Sequence, residues 1–206
     1  MDLLDLERMI NRISDSIVAW LIDKQVIDEE ERELYKYATF NCIFTLLPFL
    51  TIIPFCLMTG TIINGIVVVM TFLTLRKYTG GYHAKTPMKC WLYSSLLMIG
   101  LIYGTTIIEN NSIITIFVLI AVCSIWIFSP IDSDNRKLDV SERKTYRTHS
   151  RCVSLVLFLF YVVLSILSKN ALAIMFATGI MFASVLQLIG LLEQYLNEHC
   201  SHIREK

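Results

Sequence analysis

From Tyr37 to Leu75 the chain contains no Asp, Glu, Lys or Arg, a charge-free run of 39 residues. One membrane crossing takes about 20 residues at about 1.5 Å rise per residue, so this run is long enough for two. Pro48, Pro54 and Gly60 interrupt it, and the turn is expected near Met58–Thr61. Four further charge-free runs follow, Cys90–Ile108, Asn110–Ile131, Cys152–Ser168 and Asn170–Leu192, each sufficient for a single crossing. Composition agrees: the 206 residues are 55% hydrophobic and only 17% charged, where a soluble domain carries about 25% charged residues. The expected fold is an all-α membrane protein with six transmembrane helices.

Basic residues orient it. Residues 1–36 hold five Lys/Arg, residues 76–89 four, residues 132–151 six and the carboxyl tail two, whereas the three other connections hold only Lys169. Both termini are therefore expected in the cytoplasm. The formal net charge of zero leaves no basic footprint for nucleic acid. Residues 1–36 are acidic and lack the apolar core of a cleavable signal. Within them Leu3, Leu6, Ile10, Ile13, Ile17 and Trp20 draw one apolar stripe at helical spacing, which predicts an amphipathic helix at the bilayer interface or against the bundle. Asp28 before three glutamates reads as the capped start of the next helix. The expected organisation is a single domain: an amphipathic segment 1–36, a membrane bundle 37–192 and a tail 193–206.

Six cysteines are scattered with no Cys-x-x-Cys pair, so a disulfide framework is not expected. His199, Cys200 and His202 supply too few ligands to assign a metal. The segment with chemical content runs from Arg76 to Cys90, Arg-Lys-Tyr-Thr-Gly-Gly-Tyr-His-Ala-Lys-Thr-Pro-Met-Lys-Cys. Gly80-Gly81 breaks a helix and frees the backbone for a tight approach. Thr86-Pro87 has the form of an N-cap followed by proline at the first helical position, which makes Cys90 the fourth residue of the third membrane helix. The positive end of a helix favours thiolate, and Lys85 and Lys89 add to that effect. A histidine on the preceding loop completes a Cys–His pair in which imidazole takes the thiol proton and returns it to a leaving amine. Spacing alone leaves this reading open beside a plainer one, an ordinary loop histidine and a buried cysteine that fall seven apart. His149 and Cys152 form a rival pair without the Gly-Gly and Thr-Pro features, and a solvated loop accounts for them better.

Gly-Gly-Tyr-His-Ala with a cysteine seven residues after the histidine resembles the accessory gene regulator B (AgrB) family. So do the chain length, the six expected crossings, the amino-terminal helix and the basic loop opened by Ser129-Pro130-Ile131-Asp132. The resemblance implies a cysteine endopeptidase of the bacterial cytoplasmic membrane, acting in quorum sensing on its cytoplasmic side. Such enzymes cut a short AgrD-like precursor peptide near its carboxyl end and help close its middle into a thiolactone or lactone ring. It implies His83 as general base, Cys90 as nucleophile and a homodimer, with no cofactor. Arg76, Gly80, Gly81, Lys85, Arg136 and Lys137 are the residues expected to meet the precursor. Backbone N–H groups at the start of the third helix are the expected oxyanion donors, and Asp132, Asp134 and Asn41 are the residues available to orient His83. A small multipass exporter or a non-enzymatic membrane subunit is the alternative. The apolar interior of every crossing argues against ion-coupled transport.

Overall fold

A computed structural model describes residues 3–81, 86–109, 111–131 and 139–204, and in them the chain is helical. The order is α1 (Leu3–Asp23), a 3-10 turn at Glu29–Glu31, α2 (Arg32–Thr59), α3 (Ile62–Thr79), α4 (Pro87–Gly104), α5 (Ser112–Phe128), α6 (Val140–Ile166) and α7 (Asn170–Arg204). Among the described residues four stretches are long and apolar enough to cross a membrane: Glu29–Thr59, Ile62–Thr79, Val140–Ile166 and Asn170–Leu196. Two more, Trp91–Gly104 and Ser112–Phe128, are apolar but shorter. Their outward side chains are those of a lipid-facing surface: Leu50, Leu57, Ile120, Ile127, Leu159 and Phe160 are all exposed.

The turn expected at 58–61 falls there, between Thr59 and Ile62, with Gly60 at φ +69°. Pro48 and Pro54 lie inside α2 without ending it. Elsewhere helices outrun the charge-free segments. α6 starts at Val140, well before Cys152, because Asp139 and Glu142 form a capping box and no Gly or Pro lies between them and the apolar run. α7 likewise continues past Leu192 to Arg204, through residues rich in good helix formers. Asp28 sits at the N-cap position, but of the 3-10 turn, and its side chain makes no cap hydrogen bond.

The chain divides into two compact units. The first comprises residues 1–55 and 84–97. Its core is Ile10 of α1, Phe44 of α2 and Met88 of α4, with Leu6, Phe40, Ile43, Leu47 and Trp91 packed around them. Asp15 and Lys36 tie α1 to α2 by an ion pair at 2.8 Å. The predicted stripe on α1 is split here. Ile10, Ser14 and Val18 are buried, whereas Ile13, Ile17 and Trp20 are exposed and with Met9 form an apolar row on the open side of the helix. A 100° advance per residue separates these rows, and α1 buries one of them.

The second unit comprises residues 56–83 and 98–206. Within it α7 is central, contacting α3, α5 and α6. Ala173, Ala177, Ile180, Ala183, Ser184 and Gln187 are buried along it at helical spacing. Small residues allow this close packing: a Cβ at Gly179 would come within 2.6 Å of the Thr71 side chain on α3. Leu75, Val118, Val122, Ile125 and Tyr161 fill the rest of the core.

Candidate active site

α3 ends at a backbone knot. Gly80 has φ +68° and Gly81 φ +125°, the region that favours glycine. Gly80 forms a parallel bridge with Ile131, and the Ile131 N–H donates to the Thr79 carbonyl at 2.9 Å. A side chain at Gly80 would collide with the Ile131 carbonyl oxygen. At Gly81 a Cβ would stand 2.8 Å from the Leu186 carbonyl oxygen and 3.0 Å from the Gln187 Cα, so the turn lies directly on α7. Arg76 donates through Nη1 to the Gly80 carbonyl at 2.7 Å, closing the last turn of α3 over itself.

Ile131 is held in turn through Ser129. The Ser129 N–H donates to the Ile125 carbonyl at 3.0 Å, its carbonyl accepts from Arg147 Nε at 3.2 Å, and its hydroxyl accepts from Gln187 Nε2 at 2.9 Å. One wholly buried serine thus joins α5, α6 and α7. One turn away, the Ser124 and Ser184 hydroxyls are 2.6 Å apart. Gln187 is also fully buried, and its Oε1 has no partner among the described residues. An unsatisfied buried acceptor costs about 1–3 kcal/mol.

Of the expected site residues, Arg76, Gly80 and Gly81 come together in this knot. His83, Lys85, Arg136 and Lys137 lie outside the described residues, as do Asp132, Asp134 and the side chain of Cys90. The backbone of Cys90 is the fourth residue of α4, which begins at Pro87 as Thr86-Pro87 predicts. In the same opening turns of α4, within the first unit, Met88 is buried. There Trp91 Nε1 and Ser95 Oγ are buried without a partner among the described residues. Asn41 donates to the Tyr37 carbonyl at 2.9 Å, within its own helix.

Of the rival pair, His149 is engaged elsewhere. His149 donates through Nδ1–H to the Thr145 carbonyl at 2.8 Å, and its ring stacks on Tyr78 of α3 with centroids 5.3 Å apart. Tyr146 meets the same Tyr78 ring edge-on at 6.0 Å. Cys152 is exposed one turn further along α6. The second unit thus uses His149 in packing α6 against α3.

Ser129, Gln187 and Thr79 were not among the residues expected from sequence. Gln187 carried a signal, since it is a carboxamide in the interior of a charge-free run, where polar groups are costly and kept for a reason. Thr79 carried none, because it acts in the tie through its backbone carbonyl, and nothing in the sequence pairs the Ser129 hydroxyl with Gln187.

Comparison with known proteins bears on this arrangement. The family model for accessory gene regulator B matches residues 11–191, which include the whole segment from Arg76 to Cys90. AgrB-like protein 2 of Clostridium perfringens (strain 13 / Type A) is 25% identical over 167 residues, covering 77% of this chain and 78% of that one. An AgrB-like protein of Listeria monocytogenes (serovar 1/2a, strain EGD-e) is 27% identical over 188 residues, covering 87% and 85%. No solved structure matches the chain. An all-helical chain with long apolar helices, matched over most of its length in this way, belongs to the accessory gene regulator B family, which acts in quorum-sensing peptide processing.

Proposed function

We propose that the protein is a membrane-embedded cysteine endopeptidase with Cys90 as nucleophile and His83 as general base, acting on a short AgrD-like precursor. The observation that carries this reading is the family match across Arg76–Cys90, with Cys90 in the first turn of α4. A helix start supplies N–H groups and a partial positive charge where a thiolate and then an oxyanion must be stabilised.

In this mechanism His83 takes the Cys90 proton and the thiolate attacks the scissile carbonyl. The tetrahedral oxyanion collapses, the C–N bond breaks, and His83 gives the proton to the departing amine. The amino-terminal part of the precursor stays on Cys90 as a thioester. An internal cysteine or serine of the peptide loses its proton to His83 and attacks that thioester, which closes the ring and frees Cys90. Exchange of one thioester for another needs no nucleotide. Water competes for the thioester, and a site at the bilayer interface restricts it.

The same reading takes residues 1–206 as one polytopic domain with six crossings and both termini in the cytoplasm. His83 and Cys90 then stand on the side where the precursor is made. Arg76, Gly80, Gly81, Lys85, Arg136 and Lys137 belong to its precursor-binding surface, and a homodimer in the bacterial cytoplasmic membrane is its working form. Purified protein in lipid nanodiscs, given an AgrD-like precursor without ATP, tests it. Wild type should release the carboxyl-terminal fragment, and Cys90→Ala and His83→Ala should not. Cleavage by Cys90→Ala protein would refute the assignment.

A further inference from the structure

We propose that Gln187 is a positioning residue for the peptidase reaction, which sets the path of the chain toward His83 by holding Ser129. This rests on the function proposed above and adds to it a residue on α7, far in sequence from the Arg76–Cys90 segment.

The connection runs through buried contacts of the second unit. Gln187 Nε2 donates to the Ser129 hydroxyl, and two residues on, Ile131 is bridged to Gly80 and bonded to the Thr79 carbonyl. Gly81 rests on the α7 backbone at Leu186 and Gln187. The turn is thereby held on two sides, by Ile131 and by α7, only two residues before His83. Both holds meet at Gln187.

Stability does not explain a glutamine here. Its Oε1 is buried with no partner among the described residues, so methionine, of similar length, would remove that unsatisfied acceptor at the cost of the bond to the Ser129 hydroxyl, and the two changes offset. A polar group kept at such a position is expected where geometry matters more than stability. Gln187 is fully buried, so the glutamine acts through the turn and not on the peptide.

The test uses iodoacetamide as probe, with the alkylation of Cys90 followed by peptide mass spectrometry from pH 6 to 10 on the full-length protein in nanodiscs. His83→Ala provides the reference for a thiol without its base. Gln187→Met should slow Cys90 alkylation at pH 7 by about tenfold, toward the His83→Ala rate. At pH 10 the rates should converge, and the thermal midpoint should not fall. Ser129→Ala should reproduce the slowing and Ser129→Thr, which keeps the hydroxyl, should not. A merely structural role would lower the midpoint and leave the pH profile alone. If His83→Ala slows Cys90 and Gln187→Met does not, the positioning role is wrong and the dyad stands. If His83→Ala leaves Cys90 unchanged, the dyad itself fails and the role of Gln187 falls with it. Should Gln187→Met not fold, the Ser129 pair decides by the same criterion.

Discussion

The N–H of Ile131 donates to the carbonyl of Thr79 at 2.9 Å, joining the end of α3 to the segment that leaves α5. Thr79 is four residues before His83, and Ile131 directly precedes Asp132 at the start of the basic loop. Thr79 and Ile131, which precede the two loops singled out on sequence grounds, are therefore joined by one backbone tie.

Gly80 makes that tie possible. Its positive φ and the closeness of the Ile131 carbonyl exclude any side chain. Gly80→Ala should reduce precursor cleavage on the order of 100-fold, the usual effect of displacing a reacting group by about 1 Å. Helix content by circular dichroism should stay the same. Wild-type cleavage by Gly80→Ala would show that the bridge does not set the site.

The two rows of α1 should respond differently to charge. Ile10 is 2% exposed, so Ile10→Asp buries a carboxylate with no partner and should destabilise the protein by more than about 2 kcal/mol. Ile17 is 39% exposed, and Ile17→Asp should change stability by about 0.5 kcal/mol or less. Denaturant titration in mild detergent compares them. Equal effects would mean that α1 does not bury the row containing Ile10.

Much of this fold could be read from charge-free runs, because lipid excludes unpaired charge so strictly that the break at Gly60 and the start of α4 at Pro87 follow from residue type alone. Helix ends outside the apolar runs could not. The capping box at Asp139 and Glu142 is hidden from the positive-inside count, which treats 132–151 as loop. The stripe on α1 has the right period but does not say which of two adjacent rows is covered, since that depends on where α2 and α4 lie. In the candidate site, Gly80-Gly81 was legible as a break. Its partner Ile131 was not, because a backbone bridge between distant segments leaves no residue-type signature, and Gln187 stands out only as a carboxamide in an apolar run, with nothing to say that it meets Ser129.

The start of α6 should be sensitive to acid. Asp139 has its carboxyl held below the usual carboxylate range by the Val140 N–H first and the Ser141 hydroxyl second. A carboxylate with a lower pKa in the folded state contributes stability above its unfolded value of about 4, and that contribution is lost as pH falls through the folded value. Hydrogen exchange of residues 140–145, corrected for intrinsic rates, should therefore speed up below about pH 4 in wild type. Asp139→Ala should show the faster exchange already at neutral pH. Identical exchange in the two proteins at pH 7 would remove Asp139 from the account of this helix.

Orientation is testable on intact cells with a membrane-impermeant amine reagent. Lys85 and Lys137 should be shielded and Lys169 should react in the proposed orientation, which puts seventeen basic residues inside and one outside. Labelling of Lys85 from outside would invert the topology and with it the side on which the precursor is cut.

Carriage of the peptide on Cys90 as a thioester is open to intact-protein mass spectrometry. Wild-type protein in nanodiscs is mixed with an AgrD-like precursor whose internal cysteine is changed to alanine, so that ring closure is blocked. A covalent adduct of the amino-terminal fragment should accumulate, map to Cys90 and be released by hydroxylamine. It should be absent from Cys90→Ala protein. Precursor cleavage with no adduct on Cys90, or with an adduct on Cys152, would contradict the account.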